Sequence, residues 1–443
     1  MAADETSCAS ADEADGAARA GLRLFGWLSG VALAVVLLIN ALVNPTGVFP
    51  YELLRPLVNP VRARKVKILD KQLDTHFDNV VLGSSRTFKV EPGRVSYWLG
   101  GETFNFGVNS GRPEDYYAAL KYMIDRGFRP QRVVLGVDVE AFHNAAPVDN
   151  RLAGVLPLAS KLRWRERAPA LSEGLKESLS ARNLQLSLRS ISYALTEYPP
   201  SRQGTVTDRG FEIVRSRERR IRRGTYNLEK KIEEDRDKYL GRFAGYTDIS
   251  RWRVGYLERL LELCAAHRIE LYVYITPLHP EIVALLRAER DYDARHEQVL
   301  ALLRGYSERH GFALADMSEV HMFDGDPENF YDGAHARVEN QRKIIDALLG
   351  AAVDEPRGEK PEDIKALERA EKRKERDRAR RERLKKMRAK QQKAREKRAK
   401  EKAKEKATAK GKTKGKAKSK AKAKAGSSTK SSAAKSKPEP SAG

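Results

Sequence analysis

The sequence predicts an α/β domain built on a doubly wound parallel sheet, and three observations predict it. Short β-branched runs alternate with helical stripes from Asp78 to Leu348. The first run, Val80-Val81-Leu82, ends in Gly83-Ser84-Ser85-Arg86. The last loop before a final amphipathic stretch reads Tyr331-Asp332-Gly333-Ala334-His335. Strands separated by helices pair as parallel neighbours covered on both faces. In open sheets of this kind, chemistry gathers at the carboxyl ends of the strands.

The elements follow in order. An acidic segment, residues 1–23, precedes Leu24–Val43, twenty residues without a charge whose clearly polar members are Ser29 and Asn40. That length spans a bilayer hydrocarbon core. It is long for a signal peptide and no Ala-x-Ala follows, so a retained single-span anchor is expected. Residues 44–77 read as a linker. Asn79–Leu82 is a short apolar strand and Thr103–Val108 a second; Pro113 then opens a helix to Arg126. Arg132–Asp138 is a third strand. Tyr256–His267 carries Leu257, Leu260, Leu261 and Cys264 on one helical stripe, followed by strand Glu270–Ile275, helix Glu281–Arg304 and strand Phe312–Ala315. From about 144 to 248 the alternation breaks into an Arg-rich segment of helical flavour, interrupted at Pro199-Pro200. It reads as an insertion covering the site, with Arg215, Arg217, Arg219 and Arg220 suited to an acidic sugar or phosphate. The folded domain is expected over 78–350.

Charge divides the chain sharply. The whole carries +23, and residues 357–443 hold 35 basic and 12 acidic residues, so the entire excess lies there. Residues 1–356 are neutral, which removes any reason to see a DNA-binding domain in them. The span 357–407 reads as a solvated, coiled-coil-like helix supported by i,i+4 pairs. The span 408–443 is Lys/Ala-rich low complexity and is expected to be disordered. Such a tail is either a spacer or an electrostatic attachment to an anionic polymer or lipid. Cys8 and Cys264 are the two cysteines, so no disulfide framework is implied.

The candidate chemistry is nucleophilic. A serine hydroxyl attacks poorly until an imidazole takes its proton. His335 is placed as that base, and Asp332 as the group that fixes its tautomer. The competing interpretations are a helix N-cap for Ser85 and a capped loop with a surface histidine for Asp332 and His335. Arg86 is either an anion-binding group or a surface charge, and His279, at a strand end in Pro277-Leu278-His279-Pro280, is either ligand-facing or structural. No Cys/His spacing fits zinc, no Gly-x-Gly-x-x-Gly or Walker sequence occurs, and Asp324, Asp326 and Glu328 lack the remaining calcium-loop ligands. Neither a metal nor a cofactor is expected.

Gly83-Ser84-Ser85 resembles the Gly-Asp-Ser block of the SGNH/GDSL hydrolases, with Ser85 in the nucleophile position. Asn105-Phe106-Gly107-Val108-Asn109-Ser110-Gly111 resembles their second block, and Asp332-Gly333-Ala334-His335 their final Asp-x-x-His. The resemblance implies a flavodoxin-like fold over about 78–348. It also implies an oxyanion hole from the backbone N–H of Ser85 and of Ser110 or Gly111. One position departs: the third block's Gly-x-Asn-Asp is here Gly136-Val137-Asp138-Val139. An ionised Asp138 repels an oxyanion, so it has lost that donor role or taken another, such as contacting substrate.

The anchored layout is similar to bacterial envelope proteins of alginate O-acetylation and lipoteichoic acid D-alanylation. It implies an ester hydrolase or O-acyltransferase taking an acyl donor and an envelope polysaccharide or glycolipid, alongside other envelope acylation proteins. The alternative is a non-catalytic anchored scaffold that holds a polyanion through the tail. For orientation, Arg55, Arg62, Arg64, Lys65, Lys67 and Lys71 after the apolar run favour a cytoplasmic domain. The resemblance favours a periplasmic domain on a bacterial inner membrane, and that is the expectation adopted.

Overall fold

A computed structural model describes residues 5–45, 61–166, 179–196 and 205–359, with isolated positions at 53, 54, 57, 168 and 176. The side chains of residues 5–18 and of Asn150 are not among those described. The expected charged helix beyond residue 359, the low-complexity tail and the Pro199-Pro200 break lie outside the described residues.

Five strands form the main sheet: β1 Asn79–Gly83, β2 Thr103–Asn105, β3 Arg132–Val137, β4 Glu270–Ile275 and β5 Ala313–Asp316. All pairings are parallel and the spatial order is β2-β1-β3-β4-β5. This is the flavodoxin-like doubly wound order. The labelled helices are α1 Glu5–Val43, α2 Val61–Asp70, α3 Pro92–Leu99, α4 Pro113–Asp125, α5 Ala181–Leu195, α6 Arg215–Arg222, α7 Leu228–Phe243, α8 Arg251–His267, α9 Pro280–Glu289, α10 Tyr292–His310 and α11 Val338–Ala352.

Strand alternation builds two cores. Val80, Leu82, Val133, Leu135 and Val273 pack with Tyr116, Leu260, Ile282 and Val299 on one face. Val81, Val134, Tyr272 and Tyr274 pack with Val95, Ile344 and Leu348 on the other. A strand buried on both sides shows no polar alternation, which explains the continuous apolar runs of β1 and β3.

Three expectations are corrected in detail. The second strand is three residues long, although Phe106 N–H still donates to Val81 O at 2.8 Å and Val108 N–H to Gly83 O at 3.0 Å. The helix expected over 281–304 is two, α9 and α10, separated at extended Arg290 so that Tyr292 turns into the core. The segment taken as a linker contains α2, whose Arg62 and Lys65 are fully buried. Arg62 makes a two-pronged ion pair to Asp115 at 2.7 and 2.9 Å, and Lys65 donates to Asn105 O at 2.7 Å. A buried cation is tolerated when paired or well hydrogen-bonded.

At the amino terminus, Arg19–Val43 is 25 residues holding an 18-residue stretch of mean hydropathy 2.2, long and apolar enough to cross a membrane. Leu22, Leu24, Phe25, Trp27 and Leu33 on it are exposed.

Candidate active site

The site forms where β1 ends. Gly83 has a φ of +149°, and a Cβ there would lie 2.4 Å from Thr87 Cγ2 and 2.8 Å from Gly136 O, so the chain can turn this tightly only without one. Ser84 Oγ accepts from Arg86 N–H at 3.1 Å and caps the short 3-10 turn Ser85–Thr87. The capping role weighed for Ser85 thus belongs to Ser84, and the Ser85 side chain is available for other work. From the far end of the domain, Gln341 on α11 donates to Arg86 O at 2.8 Å and pins the same turn.

Ser85 Oγ lies 2.8 Å from His335 Nε2. His335 Nδ1 lies 2.7 Å from Asp332 Oδ1 and 2.9 Å from Oδ2. Asp332 Oδ1 also accepts the backbone N–H of Ala334 at 3.0 Å and of His335 at 2.9 Å. Burial pushes the Asp332 carboxyl up, but the adjoining His335 charge and these hydrogen bonds outweigh it and hold the group well below the usual carboxylate range. Serine, histidine and aspartate, 250 residues apart in sequence at their extremes, thus form one continuous hydrogen-bonded chain.

The oxyanion candidates separate by their bonding. Gly111 N–H is engaged by Val108 O at 3.3 Å. Among the described residues, the N–H groups of Ser85 and Ser110 have no protein acceptor. Ser110 holds a φ of +50°, a left-handed conformation costing a non-glycine residue roughly 1–2 kcal/mol. A cavity of about 320 Å³ opens beside this loop, lined by Ser110, Gly111, Arg112, Asp138, Glu140 and Arg242 among others.

Arg86 and Asp138, weighed as substrate contacts, are engaged with one another. The buried Arg86 guanidinium meets Glu140 at 2.5 Å, Asp138 at 3.5 Å and Thr276 Oγ1 at 3.1 Å. Thr276 Oγ1 in turn donates to Asp138 Oδ1 at 2.6 Å. Burial alone would lower Arg86, but these two carboxylates outweigh it and raise it further. His279 is also buried: its backbone N–H donates to Gly333 O at 3.0 Å, its ring stands edge-on to Phe330 at 5.4 Å, and its Nδ1 accepts Glu281 N–H at the start of α9. These contacts tie His279 to the loop that carries Asp332 and to the start of α9. No group of three or more potential metal-ligating side chains occurs among the described residues.

The insertion grips the same loop. Arg217 on α6 stacks over the Tyr331 ring at 3.8 Å, and Tyr331 OH donates to Glu218 at 2.6 Å. Tyr226 OH donates to Tyr331 O, and Gly333 N–H donates to Asp235 on α7 at 3.2 Å. Arg215, Arg219 and Arg220 are exposed. Sequence reasoning missed Tyr331, Asp235, Glu140 and Thr276; Tyr331, directly preceding Asp332, was the one with a positional signal.

No family model matches the chain, and no curated protein matches it. Among solved structures, a "putative acylhydrolase" from Bacteroides fragilis matches with 12% identity over 67% of this chain and 97% of that one, at a TM-score of 0.32.

Proposed function

We propose that the protein is a membrane-anchored, serine-dependent ester hydrolase or O-acyltransferase of the SGNH type, acting on a cell-envelope glycan or glycolipid. One observation carries the reading: the Ser85–His335–Asp332 chain at 2.8 and 2.7 Å, set at the carboxyl edge of a parallel sheet. With the Nδ1 proton of His335 held by Asp332, Nε2 accepts the Ser85 proton as Oγ attacks the ester carbonyl. The oxyanion meets the free N–H groups of Ser85 and Ser110, each such donor being worth about 2.7–4 kcal/mol. His335 then protonates the leaving alcohol. Water or a sugar hydroxyl, deprotonated by the same histidine, resolves the acyl-serine. Asp138 supplies no oxyanion donor in this scheme; its carboxylate is an acceptor for Thr276 and a counter-charge for Arg86.

The anchor is α1, and the domain is placed on the periplasmic side of a bacterial inner membrane, where envelope polymers lie. The basic tail is assigned to an anionic polymer or lipid headgroup. A fluorophosphonate probe tests the chemistry: wild type is expected to label and Ser85→Ala to lose labelling. Folded wild-type protein that never labels would favour the non-catalytic scaffold.

A further inference from the structure

α5 is built the wrong way round for a helix on a water-soluble domain. Such helices bury an apolar stripe and expose their polar face. Here the buried residues are Asn183, Ser187 and Ser190, at i, i+4 and i+7. Leu184, Leu188, Ile191 and Leu195 form a second stripe at i, i+4, i+7 and i+11, in which Leu184 and Ile191 are half-buried while Leu188 is 55% and Leu195 82% exposed. Arg182, Gln185 and Arg189 lie on the remaining face, also exposed.

The polar stripe packs on α1. Ser187 Oγ donates to Asn40 Oδ1 at 2.6 Å, and both residues are buried. Small side chains that allow close approach, with a hydroxyl-to-amide bond across the contact, are how helices associate where lipid removes the hydrophobic drive. Asn40 stands three residues before the end of the apolar run at Val43. At 1.5 Å per residue that is roughly 5 Å inside its boundary. α5 therefore meets α1 at the depth where hydrocarbon gives way to headgroups.

We infer that α5 is a second membrane element, lying in the leaflet at the carboxyl end of α1 with Leu184, Leu188, Ile191 and Leu195 in the acyl region. Its 15 residues are too few to span, since crossing takes about 20. Arg182 and Arg189 lie on the face away from the stripe, which suits a helix lying in the interface with its charged side toward headgroups and water. The apolar surface of α1 and the stripe of α5 are covered by the same bilayer, so the domain is held at two points. This rests on reading α1 as a bilayer span.

The test uses the full chain in nanodiscs of phosphatidylethanolamine and phosphatidylglycerol, with Cys8→Ser and single spin labels at Leu188→Cys, Leu195→Cys, Gln185→Cys, Arg189→Cys and, on α1, Leu33→Cys. Retained fluorophosphonate labelling or far-UV dichroism confirms each variant's fold. The ratio of oxygen to nickel-chelate accessibility is expected to be several-fold higher at Leu188, Leu195 and Leu33 than at Gln185 and Arg189. If Leu33 reads as lipid while Leu188 and Leu195 match Gln185, α5 is in water and the inference fails with the anchor intact. If Leu188 and Leu195 are shielded from both reagents, protein covers them and the inference also fails. If Leu33 is nickel-accessible, the anchor itself is wrong.

Discussion

Replacing Asp332 by Asn inverts the proton inventory of the triad without changing its shape. Asp332 Oδ1 accepts two backbone N–H groups, from Ala334 and His335. In Asp332→Asn the amide oxygen must stay at that position, because an NH2 there would face two donors. The amide nitrogen then falls where Oδ2 now stands, 2.9 Å from His335 Nδ1. It competes for Nδ1 with the amide oxygen 2.7 Å away; as a donor it drives the imidazole proton to Nε2, the atom 2.8 Å from Ser85 Oγ, and in either tautomer the charge that stabilises the imidazolium is gone. A protonated Nε2 cannot accept the serine proton. A wrong-tautomer defect of this kind costs about 10⁴-fold in kcat, or roughly 5.4 kcal/mol. Steady-state release of p-nitrophenol from its acetate ester reads it, with far-UV dichroism to show an unchanged fold. Acid stability supplies a second reading. The folded-state Asp332 lies below its unfolded value of about 3.9, so its contribution is present above that pH and is lost as pH falls toward the folded value. The stability gap between wild type and Asp332→Asn is therefore expected to be level above about pH 5 and to narrow below about pH 4. A folded Asp332→Asn variant that keeps more than about a tenth of the wild-type rate, where about 10⁴-fold is expected to be lost, refutes the triad.

Three further outcomes follow from buried groups. Arg86→Met leaves Asp138 and Glu140 buried without their shared cation and is expected to cost about 3–5 kcal/mol in urea unfolding; an unchanged midpoint would show that the clamp contributes nothing. Burial pushes the Lys65 ammonium down to about 7, so above that pH the unfolded chain binds the extra proton. Wild-type stability should rise relative to Lys65→Met from about pH 7 to about pH 10, and equal slopes would show Lys65 to be solvated. Burial also pushes the Cys264 thiol up to about 12, so in a Cys8→Ser background Ellman's reagent at pH 8 should find a thiol only after guanidinium is added. Prompt reaction of the native protein would contradict that burial.

The strands and the triad were legible because each leaves a local mark. β1, β3 and β4 are buried on both faces and so appear as unbroken apolar runs, and the Asp332 and His335 spacing is set within one loop. What the sequence hid was pairing at a distance. Val61–Asp70 reads as a basic linker because nothing local announces that Arg62 meets Asp115 or that Lys65 meets Asn105 O. Arg86 reads as a surface or ligand charge for the same reason: Asp138, Glu140 and Thr276 come from two other strand ends. Of the two serines, no propensity says which caps the turn; the choice follows from Gly83, which aims Ser84 Oγ back at Arg86 N–H and leaves Ser85 toward His335.

These pairings bear on how substrate enters. Opening the insertion as a lid would strip Arg217 and Glu218 from Tyr331, Tyr226 from the Tyr331 carbonyl, and Asp235 from Gly333 N–H. Each of those contacts holds a residue adjoining Asp332, so the motion that admitted substrate would also loosen the group that orients His335. Two of these, Tyr331 OH to Glu218 and Gly333 N–H to Asp235, are charge-assisted hydrogen bonds, which contribute about 1.5–3 kcal/mol apiece. Losing several at once makes such an opening rare and the opened site poorly aligned. The cavity beside Ser110 and Gly111 already reaches the proposed oxyanion loop and is walled by Arg112, Arg242, Asp138 and Glu140. That cavity leaves the Asp332 loop contacts untouched, and its walls carry charges of both signs. The insertion therefore holds the Asp332 loop in register through Tyr331 and Gly333, and through Arg242 it also walls the cavity beside Ser110.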